Sequence, residues 1–261
     1  MATLHHDGRV DLYVPNEADV LVVTSAERLD GRRPPLAEAG AELTELARSG
    51  AGALLGLEDD EPVVVRVVLG APTPQEDEEW VGRLELPLDL PDGRLALASG
   101  RGFLRGDYDE ELVRFVEVPS GRYRVSIEAQ LVGINGEACL ERAGDLGADE
   151  PGEPLGAYFR RTRPGAEVPE WLQVHCAQFP HLDPGHEEEW EDFAESDRFA
   201  ALEEEAERTG LGFVDLLLRL EPVAELPELH ATFEEDGVLR EAEVRKPARC
   251  PLGLRATGLW S

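Results

Sequence analysis

The sequence predicts a mainly β, α+β protein: β-sandwich-like antiparallel sheets carrying two helices. Three observations predict this fold. Short apolar segments recur through the first half of the chain, turn signals separate them, and only two segments have the spacing of an amphipathic helix. With 261 residues, 42% of them apolar, the chain is long enough for a sizeable core.

The predicted strands lie mainly in the first half of the chain. Residues 62–69 are rich in valine, which is typical of a buried strand. The turn signals Asp92-Gly93 and Pro119-Ser120-Gly121 each predict a hairpin between the strands that flank them. The predicted strands are residues 10–14, 18–24, 62–69, 80–90, 94–98, 112–118 and 123–132.

Two helices are predicted, at residues 35–48 and 186–208. Both carry an apolar stripe at helical spacing, and the stripe of the second helix is weak at Ser196. The segment between residues 142 and 184 is rich in Gly and Pro and lacks periodicity, so we expect ordered loops there.

The C-terminal part of the chain is less clearly patterned. Residues 213–220 are apolar and fit either a helix or a strand, and residues 229–244 predict a hairpin around Asp236-Gly237. The Pro- and Gly-rich stretch near residue 150 is the best domain boundary. It divides the chain into a β-rich sandwich with one helix (1–146) and a loop-rich acidic region with a helix and a hairpin (147–261), packed together as one unit.

Charge is the most informative property of the composition. The chain has 55 Asp and Glu against 25 Lys and Arg, a formal net charge of -30, and 20 acidic but only 5 basic residues lie between Gly185 and Arg245. Solubility requires a net charge of only about 2–8 in magnitude. The excess therefore indicates a basic partner, a cation or a saline environment. It argues against direct nucleic-acid binding and disfavours anionic membranes.

The expected location is the cytoplasm. The three cysteines are odd in number and widely spaced, which favours a reducing compartment over a disulfide scaffold. The N-terminal residues show no signal-peptide pattern, and no apolar run approaches the roughly 20 residues of a membrane-spanning helix.

The second predicted helix carries the candidate partner-binding residues. Four of them share one helix face by their spacing, and such a face suits a basic partner through charge complementarity. The alternative is a solvated face without a partner. The candidate residues are Glu187, Glu188, Glu189, Glu191, Asp192 and Glu195.

A second candidate site is a metal site formed by His175, Cys176, His181 and His186, which fall within twelve positions. Imidazole and thiolate groups are zinc ligands, but this spacing matches no common zinc pattern. The alternative is an ordinary set of loop histidines with a buried cysteine. We expect no cofactor unless a divalent metal binds here. The sequence contains no P-loop and no G-x-S-x-G nucleophile elbow, so the sequence favours a non-enzymatic role but leaves enzymatic activity open.

One stretch resembles a known family. Leu84-Glu85-Leu86-Pro87-Leu88 leads to Asp92-Gly93, and a later strand runs into Val118-Pro119-Ser120-Gly121-Arg122-Tyr123. Residues 82–125 thereby resemble the small acidic β proteins that inhibit the nuclease with which competent bacteria take up DNA. The resemblance implies a β-sandwich module and allows an inhibitor role, and it transfers no functional residue.

These observations lead to one functional hypothesis and two alternatives. The leading hypothesis is a non-enzymatic acidic protein-binding module, an inhibitor or immunity protein that masks a basic, nuclease-like partner. The first alternative is a metal-binding protein or metal-dependent enzyme that uses the cluster from His175 to His186. The second is a structural or assembly component. The oligomeric state is not predicted.

Overall fold

Two sheets packed face to face form the centre of the protein. The computed structural model describes residues 2–16, 18–29, 39–100, 110–144, 153–209, 212–229, 231, 233–234 and 236–257. Within them the strands are β1 Ala2–Thr3, β2 Arg9–Val14, β3 Val20–Ser25, β4 Gly52–Gly56, β5 Val63–Leu69, β6 Trp80–Leu90, β7 Arg94–Ser99, β8 Val113–Glu117, β9 Gly121–Gln130, β10 Leu216–Val223 and β11 Glu243–Val244. Sheet A has the order β1-β8-β7-β3-β4, and sheet B has the order β11-β6-β9-β10-β5-β2.

The core lies between the sheets because alternate strand residues point inwards. Leu84, Leu86 and Leu88 of β6 pack in one cluster with Leu95 and Leu97 of β7, and all five are buried. The predicted mainly β, sandwich-like fold is confirmed. The sheets are not purely antiparallel, however, because β1 pairs with β8 and β10 pairs with β5 in parallel.

Both predicted hairpins in the first half of the chain are wrong. β6 belongs to sheet B and pairs with β9, whereas β7 belongs to sheet A and pairs with β3 and β8. The turns at Asp92-Gly93 and Pro119–Gly121 therefore carry the chain from one sheet to the other. Gly93 has a φ of 66°, and its carbonyl accepts a 2.9 Å hydrogen bond from the Val118 amide, which ties the two connections together.

The helices are more numerous than the two predicted. Within the described residues they are α1 Ala26–Leu29, α2 Ala39–Arg48, α3 Pro74–Glu79, α4 Gly136–Arg142, α5 Leu155–Thr162, α6 Glu170–Gln178, α7 Glu187–Ala194 and α8 Asp197–Thr209. α2 is the helix predicted at residues 35–48, although its predicted start lies outside the described residues. α1 and α2 cover the outer face of sheet A through Leu29 and Leu43. No helix in the described part of the chain is long and apolar enough to cross a membrane.

Two helices occupy the segment predicted as loops. Pro154 and Pro169 immediately precede α5 and α6, so the proline content marks helix starts rather than loops. Six of the nine residues of α6 are buried, and a helix enclosed on nearly all sides has no apolar periodicity to detect.

The helix predicted at residues 186–208 is two helices, α7 and α8. Ser196 separates them: its hydroxyl donates to the Phe193 carbonyl at 2.6 Å and accepts from the Phe199 amide at 3.1 Å. This is the geometry of an N-cap, so the weak point in the stripe is where a new helix begins.

The C-terminal part of the chain contributes to sheet B. The unassigned residues 213–220 overlap strand β10, which lies between β9 and β5. The hairpin predicted at residues 229–244 is reduced to a single bridge between Phe233 and Leu239 within the described residues, and β11 pairs with β6 instead. Leu254 packs with Leu217 and covers part of the outer face of sheet B.

Candidate protein-binding surface

A buried carboxylate holds the acidic helix α7 on the body of the protein. Asp183 is 2% exposed, and its Oδ2 accepts from Arg160 Nη2 at 2.7 Å and from the Trp190 indole nitrogen at 2.8 Å. Burial opposes ionisation of this carboxyl, but the hydrogen bonds from Arg160 and Trp190 outweigh it and lower the pKa of Asp183 below its ordinary value. A Cβ at Gly156 would lie 2.4 Å from the Cβ of Asp183, so glycine allows this close approach. Asp183 therefore ties α5 to α7.

The apolar side of α7 faces inwards. Trp190 is buried, and Phe193 packs edge-on against both Trp190 and Phe199, with ring centroids 6.1 and 5.8 Å apart. Phe199 in turn clusters with Val174 of α6. These contacts fix which side of α7 faces solvent.

The opposite side of α7 is an acidic surface. We use the name acidic helix face for Glu188, Glu191, Asp192 and Glu195, all of which are exposed. None of the four forms an ion pair with any residue that the structure describes. The other two predicted residues are engaged locally, since Glu187 accepts from the Gly185 amide at 2.7 Å and Glu189 lies 3.1 Å from His186 Nδ1.

An exposed aromatic side chain follows the C-terminus of α6. Phe179 is 47% exposed, and it is the one large hydrophobic side chain that the described residues expose. Its ring contacts His175 and His181 edge-on, with centroids 5.4 and 6.3 Å apart. The 3-10 helix Pro180–Leu182 that follows Phe179 packs against α5, α6 and α7. Sequence reasoning missed Phe179 because one apolar residue beside a proline gives no periodic signal.

The four candidate metal ligands are held by different neighbours. His175 Nε2 lies 2.6 Å from Glu137 Oε1 on α4, whereas His186 pairs with Glu189 on α7. Burial, reinforced by the Asp183 carboxylate, raises the pKa of the Cys176 thiol to about 12, so the thiol remains protonated at neutral pH.

A metal site at these residues stays a prediction. Within the described ranges there is no group of three or more His, Cys, Asp or Glu side chains arranged to hold a metal ion. Elemental analysis of the purified protein, before and after chelation, would check it.

Comparisons with known proteins give a partial structural similarity. No family model and no curated protein matches the chain. A solved structure described as crocagin biosynthetic gene J is similar over 47% of this chain and 77% of its own, with 19% identity and a TM-score of 0.36. ComJ from Bacillus subtilis, an inhibitor of the DNA-degrading activity of NucA, is similar over 48% of this chain and 82% of its own, with 9% identity and a TM-score of 0.32.

The chain has a partial structural resemblance to ComJ, which is an inhibitor of the class that residues 82–125 resemble in sequence. The structural neighbours of this chain thus include a nuclease inhibitor. Because the TM-scores are low and about half of the chain is matched, no site residue is transferred from either structure. The surface described above rests on the contacts of this chain alone.

Proposed function

We propose that this protein is a non-enzymatic module that binds a basic protein partner through the acidic helix face. One observation carries the proposal. Seven of the eleven residues from Glu187 to Asp197 are acidic and none is Lys or Arg. The four carboxylates of the acidic helix face are exposed and have no ion-pair partner within the described residues. Like charges at this spacing destabilise a helix by about 0.2–0.5 kcal/mol per pair, and a cationic partner relieves that repulsion.

Phe179 supplies an apolar anchor for the same interface. Binding energy at protein interfaces concentrates in a few aromatic or arginine side chains surrounded by polar residues. The exposed ring of Phe179 lies at the start of the segment that leads into α7, which suits that role. A nuclease is the first partner class to test because of the resemblance at residues 82–125. The negative charge of the acidic helix face alone is compatible with any basic protein as the partner.

The proposal predicts that neutralising the acidic helix face weakens partner binding. The variant is Glu188→Gln, Glu191→Gln, Asp192→Asn and Glu195→Gln together. Calorimetry against a purified basic nuclease at low and at moderate salt measures the effect. We expect the variant to bind at least about tenfold more weakly than wild type at low salt. Its affinity should also change less with salt, because salt screens the attraction of exposed charges and the variant lacks four of them.

A matched control separates local charge from total charge. It neutralises four exposed carboxylates elsewhere, and we expect it to bind within about threefold of wild type. If both variants weaken binding equally, only the net charge acts and the acidic helix face is not the interface. Phe179→Ala should weaken binding at both salt concentrations, because salt does not screen the burial of an apolar ring. The control substitutions are Glu42→Gln, Glu45→Gln, Asp60→Asn and Glu225→Gln.

A further inference from the structure

A groove crosses the outer face of sheet B. Its volume of about 390 Å³ lies within the range of about 300–1,000 Å³ that is usual for small-molecule sites. The strand residues that border it alternate with core residues, so their side chains point away from the interior of the sandwich. The groove is lined by Glu85 of β6, Arg124 and Ser126 of β9, Arg219 and Glu221 of β10, and the segment Gly70 to Pro72 that follows β5.

One row of cross-strand neighbours forms the floor of this groove. Ser126 pairs with Glu85 on one side and with Arg219 on the other. Cross-strand partners share a face of the sheet, so the Cα atoms of Glu85 and Arg219 lie about 10 Å apart, which is two strand spacings. The small side chain of Ser126 leaves room between the two charged groups.

Arg219 carries a positive charge that is only partly neutralised. Its Nη2 donates to Glu128 Oε1 at 2.8 Å, but the same oxygen also accepts from Arg83 at 2.9 Å. The single charge of the buried Glu128 balances only one of the two guanidinium groups. Arg83 is the more fully engaged of the two, because it also stacks on the Trp80 ring at 3.8 Å from the centroid. The Nε and Nη1 groups of Arg219 have no acceptor among the residues that the structure describes.

The opposite side of the groove carries an unpaired negative charge. Glu85 is exposed and forms neither an ion pair nor a hydrogen bond with any described residue. Arg124 and Glu221 pair with each other at 3.1 Å and together add no net charge. The segment Gly70 to Pro72 is uncharged. The groove therefore presents one positive and one negative charge on opposite sides of Ser126.

We propose that this groove binds a free α-amino acid with an uncharged side chain, in its zwitterionic form. The α-carboxylate accepts hydrogen bonds from the guanidinium group of Arg219, and the α-ammonium group donates to the carboxylate of Glu85. Charge-assisted hydrogen bonds of about 2.8 Å at both ends allow so short a ligand to span the gap. The side chain of the ligand lies against Ala71 and Pro72, which border the groove. This site is separate from the acidic helix face and does not rest on the proposed function.

The test compares three ligands of nearly the same shape. L-leucine has both charges, N-acetyl-L-leucine lacks the ammonium group, and L-leucinamide lacks the carboxylate. NMR titration, followed at the backbone amides of Ser126 and Arg219, gives the affinity and the location together. We expect saturable binding of L-leucine, at least about tenfold tighter than binding of either derivative, because each derivative leaves one charge of the groove without a partner.

Two variants assign each charge of the ligand to its partner. In Glu85→Gln the preference for L-leucine over N-acetyl-L-leucine should disappear, and in Arg219→Gln the preference over L-leucinamide should disappear. Arg219→Gln leaves Glu128 paired with Arg83. The exposed substitutions Glu42→Gln on α2 and Arg198→Gln on α8 are the matched controls and should keep both preferences. If Arg219→Gln does not fold, Glu85→Gln and the three ligands on the wild type still decide the outcome.

Absence of saturable L-leucine binding, or equal affinity for the three ligands, would overturn the proposal. It would also be overturned if both preferences persisted in Glu85→Gln and Arg219→Gln, because the ligand would then bind elsewhere. The variant of the acidic helix face should bind L-leucine as wild type does even where it no longer binds the nuclease. Failure of this proposal and failure of the proposed function are therefore distinguishable.

Discussion

Many arginines of this protein form ion pairs with buried carboxylates. Glu128 is fully buried and accepts from Arg83 and Arg219, and Asp183 accepts from Arg160. An arginine paired with a buried carboxylate cannot neutralise an exposed one. The excess of negative charge is therefore concentrated at the surface, where it can act on a partner.

Asp183→Asn should destabilise the protein by about 2–3 kcal/mol. The change keeps the volume and an acceptor for Trp190 but removes the charge that pairs with Arg160, and the partial exposure of Arg160 limits the cost. Urea denaturation measures it. The control Glu221→Gln breaks an exposed pair with Arg124 and should cost less than about 1 kcal/mol. Equal losses would mean that Asp183 is no special link between α5 and α7.

Asp215 gives the protein a pH dependence of the opposite sign to that of most carboxylates. Burial, with a smaller contribution from Glu61, raises its pKa from 3.8 to about 7, although the Val64 amide donates to it at 2.6 Å. Between these two values the folded protein binds more protons at Asp215 than the unfolded chain does. This group therefore lowers the free energy of unfolding as pH rises towards 7.

Asp215→Asn should remove that contribution. The wild type should lose stability relative to the variant as pH rises from about 4 to about 7, and the difference should be constant above that range. Thermal unfolding across this pH range measures the difference. A difference that does not change with pH for Asp215→Asn would contradict the raised pKa.

At the scale of the elements, the turn signals correctly predicted where the chain reverses but not which strands pair. Asp92-Gly93 and Pro119–Gly121 do end strands, yet β6 and β7 lie in different sheets. The sheet that the next strand joins depends on partner strands far along the chain, such as β10. A local sequence pattern does not indicate those partners. The same holds for Asp183, whose partner Arg160 lies on another helix.

The acidic residues of α7 were accessible to sequence reasoning because helical spacing and charge are local properties. α6 was not, since burial on nearly all sides removes the contrast between an apolar and a polar face. Phe179 could not be singled out for a related reason: the exposure of its ring depends on the packing of distant residues, which the local sequence does not show.

Ser196→Ala should destabilise α8. The change removes the hydroxyl that accepts from the Phe199 amide, and loss of an N-cap costs about 0.5–2 kcal/mol. Urea denaturation, with circular dichroism for the loss of helix, measures it. The control is Ser49→Ala at the end of α2, where the hydroxyl donates to the Leu46 carbonyl and caps no helix start. We expect less than about 0.5 kcal/mol there, and an equal effect at both sites would contradict the capping role of Ser196.

At the scale of the whole molecule, β10 joins distant parts of the chain. It pairs with β9 over eight residues and with β5 over five, so it connects the two halves of sheet B. All of its residues lie beyond residue 146, the predicted end of the first domain. Without β10, β9 and β5 would each have an unpaired edge.

A fragment of residues 1–146 should therefore fail to form a stable monomer. We expect it to be unfolded or aggregated, as judged by circular dichroism and size-exclusion chromatography, whereas the full chain unfolds cooperatively. A monomeric fragment with its own cooperative unfolding transition would contradict this expectation. It would show that residues 1–146 fold as an independent domain.

The position of β10 also has a consequence for synthesis on the ribosome. β5 and β9 emerge long before β10 is made, and the helices α4–α8 are translated in between. During that interval the nascent chain carries two apolar strands with open edges, which are prone to pair with other chains. Sheet B is completed only after β10 has been translated, so we expect its strands to pair late in synthesis and to benefit from protection by chaperones until then.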